Sequence, residues 1–203
     1  LDVQVGGGEL NVAVGASRLG MESAWISRLP DNPLGRMIEN RARGLGVETS
    51  AVTFAKEGRV GLYFLEFGAS PRPSKVVYDR AHSAFAQWRG DEVDWRDVFR
   101  GARAFHTSGI TPALAPATRS ATAEAMHVAK KAGCYVSYDL NFRAKLWGEK
   151  EARAVQEPLM KDVDLLITTE EDAERVFGLR GKDYRQTAKA LARRFGFRAV
   201  AIT

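Results

Sequence analysis

The chain has 203 residues, 45% hydrophobic and 27% charged, a balance that suits one large globular domain or one domain with a small appendage. Its formal charge is +5, but arginines such as Arg41, Arg43, Arg96, Arg100, Arg193 and Arg194 scatter along helical patterns without a basic tail, so no nucleic-acid partner is expected. No apolar run approaches a membrane span, and a single cysteine, Cys134, excludes an internal disulfide and fits a reducing, cytoplasmic setting.

In chain order, Val3-Gln4-Val5 leads into Gly6-Gly7-Gly8, and a helical pattern follows through Asn11, Val12, Val14 and Leu19. Glycines before a helix start bring free backbone amides close to an anion or a hydroxyl-rich ligand, although a plain tight turn reads the same way. The spacing fails the dinucleotide fingerprint because Asn11 stands where its last glycine belongs. Residues 23–27 read as a strand, and Pro33 opens a helix that ends near Gly44 and Gly46.

The texture then changes. Helical periodicity vanishes and three β-rich runs appear at 51–55, 59–67 and 75–80, separated by Gly- and Pro-containing turns. They predict a small secondary sheet, a lid over 51–80, inserted between core segments 1–50 and 81–203. Tyr78 and Arg80 lie two apart and share a strand face. With Tyr63 on the neighbouring run they read as a clamp for a carboxylate or phosphate, or as a solvated edge.

Alternation resumes beyond Arg80. A helix is predicted over 91–100, a strand over 103–108, a helix from Pro116, a strand over 134–140 and a helix over 150–161. Strand 164–168, helices 170–176 and 184–195, and strand 197–203 complete it. This order predicts an α/β fold with a doubly wound, mostly parallel sheet, whose ligands sit beyond the carboxyl ends of the strands. Strand 134–140 delivers Asp139, Asn141 and Arg143 to such an end, where Arg143 meets an anion or pairs with Asp139. Thr169, Glu170, Glu171 and Asp172 open a helix, as caps or beside a magnesium-bound phosphate. His82, His106 and His127 share no metal-ligand spacing, and no metal centre is predicted. Cys134 reads as a buried structural thiol, His106 as a strand residue and His127 as helix surface. The chain opens on Leu1 without Met and closes on a strand, so it is expected to be cut at both ends.

Five motifs stand in one order: Gly6-Gly7-Gly8-Glu9-Leu10-Asn11, Gly61-Leu62-Tyr63-Phe64, Tyr78-Asp79-Arg80-Ala81-His82-Ser83-Ala84, Ser108-Gly109-Ile110-Thr111-Pro112-Ala113-Leu114, and Asp139-Leu140-Asn141-Phe142-Arg143 continuing to Leu146-Trp147. Together they resemble the ribokinase-like (PfkB-type) sugar kinases, above all those acting on 2-keto-3-deoxygluconate. The resemblance implies a ribokinase-like fold with a β-sheet lid, ATP and Mg2+ as cofactors, a sugar acid as substrate, and a homo-oligomer joined through the lid. It implies that Gly6, Gly7 and Asn11 meet the sugar, that Tyr63, Tyr78 and Arg80 reach in from the lid, that Asn141 belongs to the substrate site, and that Arg143 grips the acid end. Thr169 and Asp172 stand where the family carries Asn and Glu near magnesium and phosphate. The family's Gly-x-Gly-Asp segment, with its general base, is expected after Thr203, so this chain alone is expected to be inactive. Fructose or 5-dehydro-2-deoxygluconate kinases are the rival readings within the fold. A non-catalytic sugar-acid sensor is the rival outside it, and a dehydrogenase domain is weakened by the failed glycine spacing.

Overall fold

The computed structural model describes residues 2–203. They fall into two compact units, one up to Trp88 and one from Arg89 to Thr203.

In the first unit, helix α1 (Gly8–Arg18) is followed by β1 (Ser27–Pro30), α2 (Pro33–Gly44) and β2 (Val52–Ala55). Asn32 caps α2 by accepting from the Leu34 and Gly35 amides at 3.1 and 3.0 Å, and Pro33 follows in the first turn. Gly35 lets α2 approach β1, since a Cβ there would lie 2.0 Å from the Pro30 carbonyl oxygen. Leu10, Ala13, Ala42 and Val47 form the core of this unit, with Val5, Val14 and Trp25 packed against it. The ladder expected over 23–27 lies further on: β1 pairs from Ser27, and the earlier segment contributes an isolated bridge, Ala24 to Glu48.

β1 and β2 run parallel, in register from Ser27–Val52 to Pro30–Ala55. The first of the three β-rich runs expected in the lid therefore pairs with β1. The other two, β3 (Leu62–Glu66) and β4 (Lys75–Asp79), form a separate antiparallel hairpin, with Tyr63 opposite Tyr78. Arg59 ties its base, reaching both Asp79 carboxylate oxygens at 2.8 and 2.5 Å and the Ala81 carbonyl at 3.1 Å.

The second unit carries a parallel sheet in the order β5-β6-β7-β8: Ala104–Ser108, Tyr135–Asp139, Leu165–Thr168 and Ala199–Ile202. Helical crossovers link neighbouring strands: α4 (Ile110–Leu114) and α5 (Pro116–Lys131); α6 (Glu149–Gln156) with a 3-10 turn (Glu157–Asp162); then α7 (Glu170–Phe177) and α8 (Tyr184–Phe195). Val136, Tyr138 and Leu140 alternate into the core with Leu166, Met126, Met160, Val176 and Leu191, all nearly fully buried. Cys134 is buried, its thiol donating to the Ala102 carbonyl at 3.3 Å, as a structural thiol should. The helix expected over 91–100 shrinks to α3 (Trp95–Val98), because Asp94 caps the Arg96 and Asp97 amides there and Gly101 turns left-handed after it.

Candidate active site

In the second unit, chemistry gathers at the carboxyl ends of β5, β6 and β7. Ser108 and Asp139 are register partners, as are His106 and Ser137, so these four share one sheet face. His106 Nδ1 lies 3.1 Å from Ser137 Oγ, which fits the reading of His106 as a strand residue. Gly109 donates its amide to the Asp139 carbonyl at 2.8 Å. A Cβ at Gly109 would fall 2.2 Å from the Leu140 carbonyl oxygen and 2.3 Å from Gln156 Oε1, so only glycine passes this crossing. Buried Gln156 in turn accepts from the Tyr138 hydroxyl at 2.8 Å.

The chain kinks after β6. Asn141 is left-handed, at φ 39°, a conformation that asparagine tolerates better than most residues. Its side-chain amide donates to Asp139 Oδ2 at 3.2 Å. The next amide, Phe142 N, donates to Asp172 Oδ2 at 3.1 Å, while Thr169 Oγ1 caps the Asp172 amide at 3.0 Å. Phe142 is buried beneath the Arg175 guanidinium, 4.7 Å from its ring centroid. Arg143 follows, exposed. It is not locked to Asp139 in an ion pair; Asn141 takes that carboxylate instead.

Burial pushes the Asp139 carboxyl above the usual range, and the nearby Asp172 charge adds to it, while His106 and Arg143 pull it back. Burial likewise raises Asp172, against the Phe142 N–H and the Arg143 charge. Thr169, expected as a cap or a phosphate neighbour, is a cap in this geometry.

The first unit places another cluster. Gly6, Gly7 and the Asn11 side chain are exposed at the start of α1, whose first hydrogen bond runs from the Asn11 amide to the Gly7 carbonyl at 2.8 Å. A Cβ at Gly6 would lie 3.3 Å from Tyr63 Oη, so the glycine loop and the β3–β4 hairpin meet there. Tyr63 and Tyr78 stand 6.2 Å apart between ring centroids, and the Arg80 guanidinium lies over the Tyr78 ring at 4.6 Å. The structure thus brings Gly6, Tyr63, Tyr78 and Arg80 into one neighbourhood, and Asn141, Arg143, Thr169 and Asp172 into another.

Sequence reading missed the bond from Phe142 to Asp172 and the part of Gly109 and Gln156 in holding the β6 end. Gly109, between a strand and a helical run, was the available signal. Among the described residues no group of three or more His, Cys, Asp or Glu side chains could hold a metal ion. Thr169 Oγ1 is spent on the helix cap and one Asp172 oxygen on Phe142. His127 lies on the exposed side of α5, 3.7 Å from Asp162.

The pfkB family carbohydrate kinase pattern matches residues 1–203. A 2-dehydro-3-deoxygalactonokinase from Haloferax volcanii is 44% identical over all of this chain and 63% of its own length. A 5-dehydro-2-deoxygluconokinase from Shouchella clausii is 32% identical over 92% of the chain and 57% of its own. The crystal structure of a 2-dehydro-3-deoxygluconokinase from Thermotoga maritima superposes with a TM-score of 0.93 at 42% identity, covering 98% of this chain and 63% of that one. The chain therefore spans under two thirds of the length of these relatives.

Proposed function

Since the chain belongs to the pfkB family of carbohydrate kinases, we propose that its full-length protein transfers the γ-phosphoryl group of ATP to a hydroxyl of a 2-keto-3-deoxy sugar acid. The gluconate and galactonate forms are the candidate substrates. The observation that carries this reading is the kinked segment after β6, which ends on an exposed guanidinium at the ligand end of a parallel sheet. A planar cation there suits a carboxylate in a two-pronged contact. The relatives named for two such acids, at 44% and 42% identity, point the same way.

In this proposal Arg143 takes the acid group and Asn141 shapes the turn that presents it. Gly6, Gly7 and Asn11 meet sugar hydroxyls, with Tyr63 and Tyr78 on the hairpin, and Arg80 adds charge to the choice of an acid over a neutral sugar. The nucleotide lies on the side where α7 begins, near Thr169. ATP supplies the phosphoryl group, and magnesium, as its usual counter-ion, would neutralise the phosphate charge; no residue of this chain is assigned as general base. Phosphoryl transfer asks mainly for positioning and charge stabilisation. The protein is further proposed to be cytoplasmic and a homo-oligomer joined through the hairpin. No helix among the described residues is long and apolar enough to cross a membrane.

Steady-state kinetics of Arg143→Ala in the full-length protein test the assignment. Losing a charge-assisted contact worth about 1.5–3 kcal/mol should raise KM for the acid sugar roughly 10- to 100-fold and leave KM for ATP in place. Equal effects on both substrates would remove Arg143 from the acid site. A fructose kinase, the second reading, would be indifferent to this change.

A further inference from the structure

The segment that carries Arg143 is fastened from α7 and β7. The Leu140 amide donates to the Ile167 carbonyl of β7 at 2.9 Å, the last bond before the chain leaves the sheet. The left-handed turn at Asn141 then points the Phe142 amide at α7, where Asp172 Oδ2 accepts it at 3.1 Å. A buried amide without that acceptor would be costly. The acceptor is itself fixed. Thr169 Oγ1 caps the Asp172 amide, and Arg175, one turn on, lies over the Phe142 ring while Glu149 at 2.8 Å and Glu171 at 3.3 Å hold it. Phe142 is therefore gripped at its backbone and at its ring by one helix face, and Arg143 is the next residue.

We propose that Asp172 is a positioning residue for Arg143: its carboxylate sets the pose of the acid-binding segment from the start of α7. This assigns Asp172 to the acid-binding segment instead of to magnesium, and it rests on the reading that Arg143 takes the substrate carboxylate. Oδ2, already bonded to Phe142, fixes the geometry; an amide oxygen in its place would do the same work. The half-buried setting of Asp172, which disfavours its charged form, agrees with a structural acceptor.

The test uses the full-length protein with Asp172→Ala and Asp172→Asn, 2-keto-3-deoxygluconate and -galactonate as substrates, and a magnesium titration. Displacing Arg143 by a fraction of an ångström should raise the acid-sugar KM of Asp172→Ala by about 10-fold or more. Asp172→Asn, which keeps an acceptor oxygen, should restore it to near the wild-type value. KM for ATP and the magnesium concentration for half-maximal rate should stay put in both. A shifted magnesium requirement with an unmoved acid-sugar KM would return Asp172 to the metal, and equal damage from both variants would make its charge the active property. Either result overturns the proposal while the wild-type enzyme still turns over the acid sugar. Wild-type turnover confined to fructose would instead sink the reading of Arg143, and this proposal with it. If Asp172→Ala does not fold, amide exchange at Phe142 decides: slow exchange in the wild type and in Asp172→Asn supports the bond, and fast exchange in the wild type overturns it.

Discussion

Asp164 and Asp139 are carboxylates on one sheet that are treated in opposite ways. Asp164 is buried, and burial alone would raise its pKa, but Lys130 Nζ at 2.6 Å, the Val136 amide at 3.0 Å and the Arg198 charge outweigh it and leave the pKa lowered. Lys130 and Arg198 line a shallow hollow with Arg103 and Tyr135 at this end of the sheet. A folded pKa below the unfolded one adds stability that is present above the unfolded value, about 4, and is lost as pH falls through the folded value. For Asp139, raised by burial, the sign reverses: its contribution is full below the unfolded pKa and fades as pH rises through the folded one. Burial thus disfavours the charged form of Asp139, whereas the partners of Asp164 favour its charged form. We predict that Asp164→Asn lowers unfolding free energy by about 1–2 kcal/mol at neutral pH, discounted because Lys130 is partly exposed. In urea titrations the gap from wild type should close below about pH 4. A gap that is constant with pH would show that the Asp164 charge is not what stabilises.

At the scale of elements, local signals read well and pairings read poorly. Helix α8 starts and stops where the sequence predicts, because Asp183 caps the Gln186 amide at 2.7 Å and Gly196 takes a left-handed turn at φ 77°. Helix α3 loses more than half its predicted length to a similar device, since the cap at Asp94 sits inside the pattern. Strand β2 was legible as a strand, but its partner was not: β-rich runs close in sequence look alike, and whether one joins β1 or a hairpin is decided by distant contacts. At the site, Asn141 and Arg143 were legible as a strand end, and Tyr78 with Arg80 as one face. The Phe142–Asp172 bond was not, because it joins a backbone amide to a side chain thirty positions away. The β3–β4 hairpin makes a further demand. Leu62, Phe64 and Val77 alternate onto the face opposite Tyr63 and Tyr78, at 44%, 50% and 50% exposure. Two strands alone hold together weakly, and an exposed apolar face asks for a cover. With the proposed oligomer as that cover, Phe64→Asp should lower the mass of the full-length protein in light scattering to that of one chain. An unchanged larger mass would place the contact elsewhere.

For the whole molecule, the chain belongs to the pfkB family of carbohydrate kinases. The relatives named for 2-keto-3-deoxy acids match at 44% and 42%, and those named for 5-dehydro-2-deoxygluconate and fructose at 32% and 36%. The two leading acids are close chemical kin. Cationic charge is what separates acids from neutral sugars, and in the proposed function Arg143 and Arg80 are the residues assigned to supply it. A modest excess of positive charge, +5 over the chain, favours the approach of anionic substrates without choosing among them. Central to the account is phosphoryl transfer to a sugar acid selected by that charge. Its most direct test is ADP release by the full-length protein with ATP, magnesium and a panel of 2-keto-3-deoxygluconate, 2-keto-3-deoxygalactonate, 5-dehydro-2-deoxygluconate and fructose. Turnover is expected on one or both 2-keto-3-deoxy acids, with kcat/KM at least about 100-fold above fructose, the discrimination that a charge-assisted contact can supply. Equal or better turnover on fructose, or none on any sugar from folded protein, would contradict it.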